Sequence, residues 1–370
     1  MKNPVIAEQG KPSIAEGMLK FSCLSENHFN TLAQSGTILP QLSISKRKIT
    51  VSGNGTEICN IRQLQGWAKR KTITQKMLLS LIDVAKKKGK AEQVKAYWNA
   101  YHCLNKTYSS EGRLYGKYCK NRFCTVCLCI RKAEILNKYL PVLRTWENPY
   151  FVTLTIKSVY ANKLNYTITR GMIRGLKIII EKYKKRNQRG KGNKLMGIKS
   201  LECNFNPATK TYNPHFHLIV NSKETADILI SEWLRLWKNK WTNKAAQNSR
   251  KVENLERDLI ECVKYGTKIF TEPDLNKHAR QKVPHHIYVS ALDNILTAMK
   301  QHRLFDRFGF KLPKSEKKVK STQLNQYNEW IFDSKQCDWI NTENEKVLAG
   351  YKLPIELGIL LENNIDLLLQ

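Results

Sequence analysis

The chain has 370 residues, enough for one large domain or two smaller ones whose core needs no disulfides. Its 63 Lys and Arg against 31 Asp and Glu give a formal charge of +32, which self-repels without a polyanionic partner, so nucleic acid leads over a membrane surface. No long uncharged apolar run and no charged-then-apolar leader is seen, and the protein is expected to be soluble and cytoplasmic, with its ten cysteines as thiols or metal ligands.

Residues 1–60 mix Gly, Ser, Asn and Pro with little periodicity and read as a poorly ordered arm. A basic helical region over 61–102 follows, with Leu64, Trp67, Leu78, Leu81 and Ile82 at helical spacing and lysines on the other faces. Residues 103–132 carry the cysteine segment. Tyr150 to Lys157 reads as a strand and Ile168 to Tyr183 as a helix, whose basic tail Lys182 to Lys194 is taken as a loop. Met196 to Phe205 and Tyr212 to Val220 are two strands joined by a turn at Asn206 to Lys210. Helices are expected over about 224–240 and 253–270, then a short strand at His286 to Ser290 and a helix from Ala291 to Phe305. This pattern predicts an α+β domain over 133–312, a central antiparallel sheet covered by helices. Residues 313–370 are read as a basic linker and an acidic tail, because 321–370 hold three Lys against eight acids.

His215-Phe216-His217 opens an apolar strand, so both imidazoles leave one face while Phe216 enters the core. A hairpin turn centred between Ala208 and Thr209 sets Glu202 opposite His215 on that face. Two neutral imidazoles and one carboxylate suit Mg²⁺ or Mn²⁺ and leave positions for phosphate and water. His285-His286, adjacent in the expected strand, face opposite ways and cannot chelate in this manner.

On the helix beginning at Leu255, Glu261, Tyr265 and Lys268 are spaced four and three apart and share a face. A phenol is a weak nucleophile at neutral pH, with an unperturbed pKa of about 10. Metal polarisation of a phosphate, charge stabilisation by Lys268 and proton acceptance by Glu261 compensate for that. Cys119, Cys124 and Cys127 form a knuckle and Cys103 is the best fourth ligand for a structural Zn²⁺, with His102 and Cys129 as competitors. Among the basic runs, Lys184, Lys185, Arg186, Arg189 and Lys264 are candidates for DNA contacts.

Three segments together, Tyr150-Phe151-Val152-Thr153-Leu154-Thr155-Ile156, His215-Phe216-His217-Leu218-Ile219-Val220 and Glu261-Cys262-Val263-Lys264-Tyr265-Gly266-Thr267-Lys268, resemble the motifs of plasmid rolling-circle replication initiators, the single-tyrosine branch of the HUH endonucleases. The Cys119 to Cys127 segment is similar to the cysteine segment ahead of that family's first motif. The resemblance implies a ferredoxin- or RRM-like fold, metal held by the histidines, and nicking of single-stranded or hairpin origin DNA by Tyr265. It further implies a 5′-phosphotyrosyl intermediate and a 3′-hydroxyl primer, with host helicase and polymerase as partners and Glu261 as the activator of water. The oligomeric state is left open by the sequence. An HUH transposase or relaxase, or a non-catalytic zinc-containing DNA-binding regulator, are the alternatives.

Overall fold

The computed structural model describes residues 48–263, 285–313, 320–358 and 361. The first half of the chain runs β1 (Ile49–Ser52), β2 (Thr56–Glu57), α1 (Ile61–Lys87), α2 (Ala91–Tyr101), β3 (Lys106–Ser110), β4 (Arg113–Gly116), α3 (Thr125–Leu143), β5 (Tyr150–Thr155), α4 (Ala161–Tyr166) and α5 (Arg174–Gln188), with a π-helical stretch over Thr167–Ile173. The second half runs β6 (Gly197–Asn206), β7 (Thr211–Val220), α6 (Lys223–Trp241), β8 (Asn248–Lys251), α7 (Leu255–Cys262), α8 (His285–Ala298), β9 (Phe305–Phe308), β10 (Ser321–Leu324), β11 (Asn328–Asp333) and β12 (Asp338–Asn341). The architecture is α+β with antiparallel sheets. Among the described residues, no helix is long and apolar enough to cross a membrane.

The first sheet has the order β8-β5-β7-β6-β9 and is antiparallel throughout. Strand alternation sends Phe216 and Leu218 of β7 to one face, where the Phe216 ring lies 6.2 Å from that of Trp233 on α6. Helix α5 and the π-helical stretch before it stack on α6 because small residues let them approach. A Cβ added to Gly171 would stand 2.7 Å from the Trp237 ring, and one on Gly175 would stand 3.0 Å from Leu236. The indole of Trp233 and the hydroxyl of Thr242 both donate to the Thr155 carbonyl, at 3.0 and 2.9 Å, so α6 fixes the end of β5. The opposite face carries the histidines and receives α7.

A second five-stranded sheet, β12-β11-β3-β4-β2, joins the cysteine segment to strands more than two hundred residues later, and β1 pairs with β10 in a separate ribbon. Its core contains Leu64, Leu78, Leu81 and Tyr97 from α1 and α2, together with Trp330, Trp339, Cys103, Cys124 and Cys127. The indoles are satisfied: Trp330 donates to Ser109 Oγ at 2.9 Å and Trp339 to the Leu104 carbonyl at 2.7 Å. Helix α8 serves both cores. Ala291, Ile295 and Ala298 enter the first, while Val289, Leu292 and Leu296 enter the second.

Four expectations are corrected. The arm does not reach residue 60, since Ile49–Ser52 and Thr56–Glu57 are paired strands. The acidic tail is not a tail over 321–341: its three strands complete the sheets and bury two tryptophans. Its acids are placed to order backbone, as when buried Asp338 accepts from the amides of Trp339, Ala349 and Tyr351. The strand expected at His286 to Ser290 is instead the start of α8, and the helix expected to run to Phe305 ends at Ala298. Burial on two sides favours helical periodicity there over the β-branched pair Ile287 and Val289. The His285-His286 pair therefore lies on a helix. Finally, the basic loop at Lys182 to Lys194 begins only after Gln188, because the first lysines still belong to α5.

Candidate active site

The β6–β7 turn spans residues 207–210 and sets a register that pairs Glu202 with His215 and Ser200 with His217. On the other side, β5 supplies Thr155 opposite His215 and Thr153 opposite His217. These residues share one face, so a polar patch crosses three strands. His215 and Glu202 are buried, and the His217 side chain is 13 % exposed, the most open of the three.

The Glu202 Oε2 atom lies 3.7 Å from His215 Nε2 and 3.8 Å from His217 Nε2, and the three donor atoms all fall within 4.8 Å of one another. Each imidazole is held from behind. His215 Nδ1 donates to the Asn213 carbonyl at 3.1 Å, and His217 Nδ1 meets Thr153 Oγ1 at 3.2 Å. Both Nε2 atoms face the carboxylate. A hard divalent cation at about 2.1 Å from each donor sets neighbouring donors about 3 Å apart, so a small inward movement brings the set into range. The donor chemistry fits such an ion.

Helix α7 is fastened over this patch at two points. The guanidinium of Arg250 on β8 makes a bidentate pair with buried Asp258, its NH1 donating to Oδ2 at 2.8 Å and NH2 to Oδ1, and it stacks 4.9 Å from the Phe151 ring. Near the helix end, the Cys262 thiol donates to the His217 carbonyl at 3.4 Å. Burial, reinforced by the negative charge of Glu202, holds that thiol well above its ordinary range, so it stays a neutral donor. Glu261 is on the last turn of α7 and half-buried. Tyr265, Lys268 and Lys264 lie outside the described residues.

The second cluster gathers Cys103, Cys119, Cys124 and Cys127, all four Sγ atoms within 4.8 Å of one another. Sγ–Sγ separations are 3.5 Å for Cys103–Cys127 and 3.7 Å for Cys119–Cys127, and a tetrahedral zinc with bonds near 2.3 Å sets sulfurs about 3.8 Å apart. Backbone amides support the sulfurs, Cys119 N–H donating to Cys103 Sγ and Asn121 N–H to Cys119 Sγ, each at 3.4 Å. His102 is exposed and bonded to Asn105. Cys129 is not among the four.

The structure separates the basic candidates from the histidines. Lys184, Lys185 and Arg186 are exposed on the end of α5 and Arg189 follows it, in the layer that covers the Phe216 face of the sheet. Four residues of the two clusters escaped sequence reading: Thr153, Asp258 with its partner Arg250, and Lys71 beside the cysteines. Only Thr153 left a signal, since its place in an alternating strand puts it on the imidazole face once β5 pairs with β7.

Comparison with known proteins gives one family. Residues 113–354 match the family model described as "Replication protein". A "Protein rep" of Staphylococcus aureus is 32% identical over 181 residues, covering 44% of this chain and 75% of that protein. A "Protein rep" of Streptococcus pneumoniae serotype 2 (strain D39 / NCTC 7466) is 26% identical over 189 residues, 47% of this chain and 56% of that protein. One from Bacillus amyloliquefaciens is 29% identical over 151 residues, 38% and 43% respectively. No solved structure matches.

Proposed function

This chain belongs to the replication protein family of plasmid rolling-circle initiators, and on that premise we propose that it nicks one strand of its origin by tyrosine attack. The observation that carries the reading is the meeting of Glu202, His215 and His217 beside the end of α7, where Cys262 touches the His217 carbonyl three residues ahead of Tyr265. It supports an HUH-type arrangement in which those three residues hold Mg²⁺ or Mn²⁺. When bound, such an ion supplies positive charge to a phosphate oxygen and polarises the phosphorus.

The phenol of Tyr265 gives its proton to solvent as its oxygen attacks that phosphorus, and the bond to the 3′ oxygen breaks. The DNA 5′ phosphate is then joined to the tyrosine, and the departing oxygen takes up a proton to become the 3′-hydroxyl primer for host polymerase, with a helicase opening the duplex. Lys268 stabilises the charge that develops on the phenol oxygen or the phosphate. In the terminating cleavage Glu261 accepts a proton from water, whose oxygen attacks the same phosphorus, and Tyr265 leaves with a proton regained. The four cysteines hold a structural Zn²⁺ and take no part in the chemistry. Lys184, Lys185, Arg186, Arg189 and Lys264 contact the DNA backbone; the first four, on the far layer, serve flanking DNA.

The test is incubation with a labelled single-stranded origin oligonucleotide, with and without Mg²⁺ or Mn²⁺. A metal-dependent covalent species is expected from the native chain and none from Tyr265→Phe, with DNA binding retained. An adduct that survives Tyr265→Phe, or DNA binding without nicking in the native chain, overturns the reading in favour of a DNA-binding regulator. Glu261→Ala is expected to leave the first nick intact and impair hydrolytic release.

A further inference from the structure

Helix α1 sends an ammonium group into the second core. Lys71 is 3 % exposed, and its Nζ donates to the Cys103 carbonyl at 2.6 Å and to Asn105 Oδ1 at 2.7 Å, standing 4.6 Å from the centre of the Phe332 ring. These partners are neutral. Its described contacts include no carboxylate, and Cys103, whose carbonyl it holds, is one of the four clustered cysteines. A buried ammonium without a counter-charge is costly, and a chain that places one here needs negative charge nearby. Four thiols do not supply it. Four thiolates around one divalent cation do, since they leave a net charge of about −2.

We propose that Lys71 is the resident counter-cation of a tetrathiolate metal centre: the thiolate shell holds the ammonium in the core, and the ammonium stabilises the anionic shell. The inference rests on the reading of Cys103, Cys119, Cys124 and Cys127 as metal ligands, and it adds a group from outside their segment. It ties α1, through Lys71, and β11, through Phe332, to an ion whose ligands all lie between residues 103 and 127. Metal loading and assembly of the second core are thereby one event.

Cobalt(II) is the probe, loaded into the full chain after removal of resident metal by a chelator. Lys71→Met replaces the ammonium with an apolar chain of similar length, Lys71→Gln keeps a donor toward the Cys103 carbonyl without charge, and Lys71→Arg keeps charge. The Met and Gln variants are expected to bind Co²⁺ about 10–100-fold more weakly, the range for loss of a group supporting metal ligands. Their thiolate-to-cobalt charge-transfer absorption should move to lower energy, because sulfur donor orbitals rise when a nearby positive charge is removed. Lys71→Arg should keep both properties closer to the native chain. If Lys71→Met does not fold, Lys71→Gln carries the comparison. Native affinity and band position in the uncharged variants overturn the role of Lys71, and so does a Lys71→Arg change as large as that of Lys71→Met. A native chain that shows no thiolate-to-cobalt band overturns the metal centre itself.

Discussion

The Thr153 hydroxyl decides which way the His217 ring can face. An Nε2 lone pair given to the proposed metal ion requires the proton to sit on Nδ1, where Thr153 Oγ1 stands at 3.2 Å to accept it. Thr153→Val keeps the β-branched shape the strand prefers and removes the acceptor. It is expected to lower Mn²⁺ affinity by about 10–100-fold with the fold intact, measured by metal titration and circular dichroism. Unchanged affinity would show that the ring is held some other way. The His-x-His pair and its carboxylate were legible because strand period and turn position fix which residues share a face. The supports behind them were not, because Asn213 acts through its carbonyl, which no side-chain pattern encodes. Lys71 was hidden for another reason: a lysine in a basic helix reads as solvated, and only the tertiary fold turns it inward.

Helix α8 is gripped by the α1–α2 connection. Lys88 and Lys90 both reach Asp293 Oδ2, at 3.0 and 2.8 Å, and Tyr97 donates to Oδ1 at 3.0 Å. On the other side, Asn294 donates to Tyr212 of β7 at 2.9 Å. Burial opposes ionisation of Asp293, yet Lys90 and Lys88 outweigh it and hold the carboxyl below its usual range. A depressed folded-state value means that this carboxylate stabilises above the unfolded value of about 3.9 and loses that contribution as pH falls through the folded one. Asp293→Asn is therefore expected to cost about 2–3 kcal/mol near neutrality, toward the lower end for a broken buried pair because both lysines stay about a third exposed. The gap between the two proteins should close below about pH 4 in denaturant titrations. A pH-independent difference would assign the effect to packing. The same helix shows where sequence reading fails at this scale: an element buried on two sides lacks the one-sided stripe that identifies a surface helix, and its β-branched start imitates a strand.

At the scale of the molecule, the middle of the first sheet, β5, β6 and β7, was foreseen because those strands alternate cleanly and their hairpin is local, whereas β8 was not expected and β9 begins where a helix was expected to end. The second sheet was not, since β3 and β4 are short and polar and β3 pairs with β11 some two hundred residues away. Removing residues 321–370 should thus not trim a dispensable extension. It deletes Trp330 and Trp339, both fully buried, and is expected to leave α1 and α2 protease-sensitive. A truncated chain as resistant as the full one over residues 61–116 would contradict this pairing. The long-range closure also bears on biosynthesis. As the polypeptide leaves the ribosome, the β5–β9 sheet has all its strands before β10 emerges, whereas the greasy sides of α1 and α2 must wait for β11 and β12 of the second sheet to be translated. During that interval they are natural clients for chaperones, and a stalled ribosome would release a chain with a finished first sheet and an unfinished neighbour.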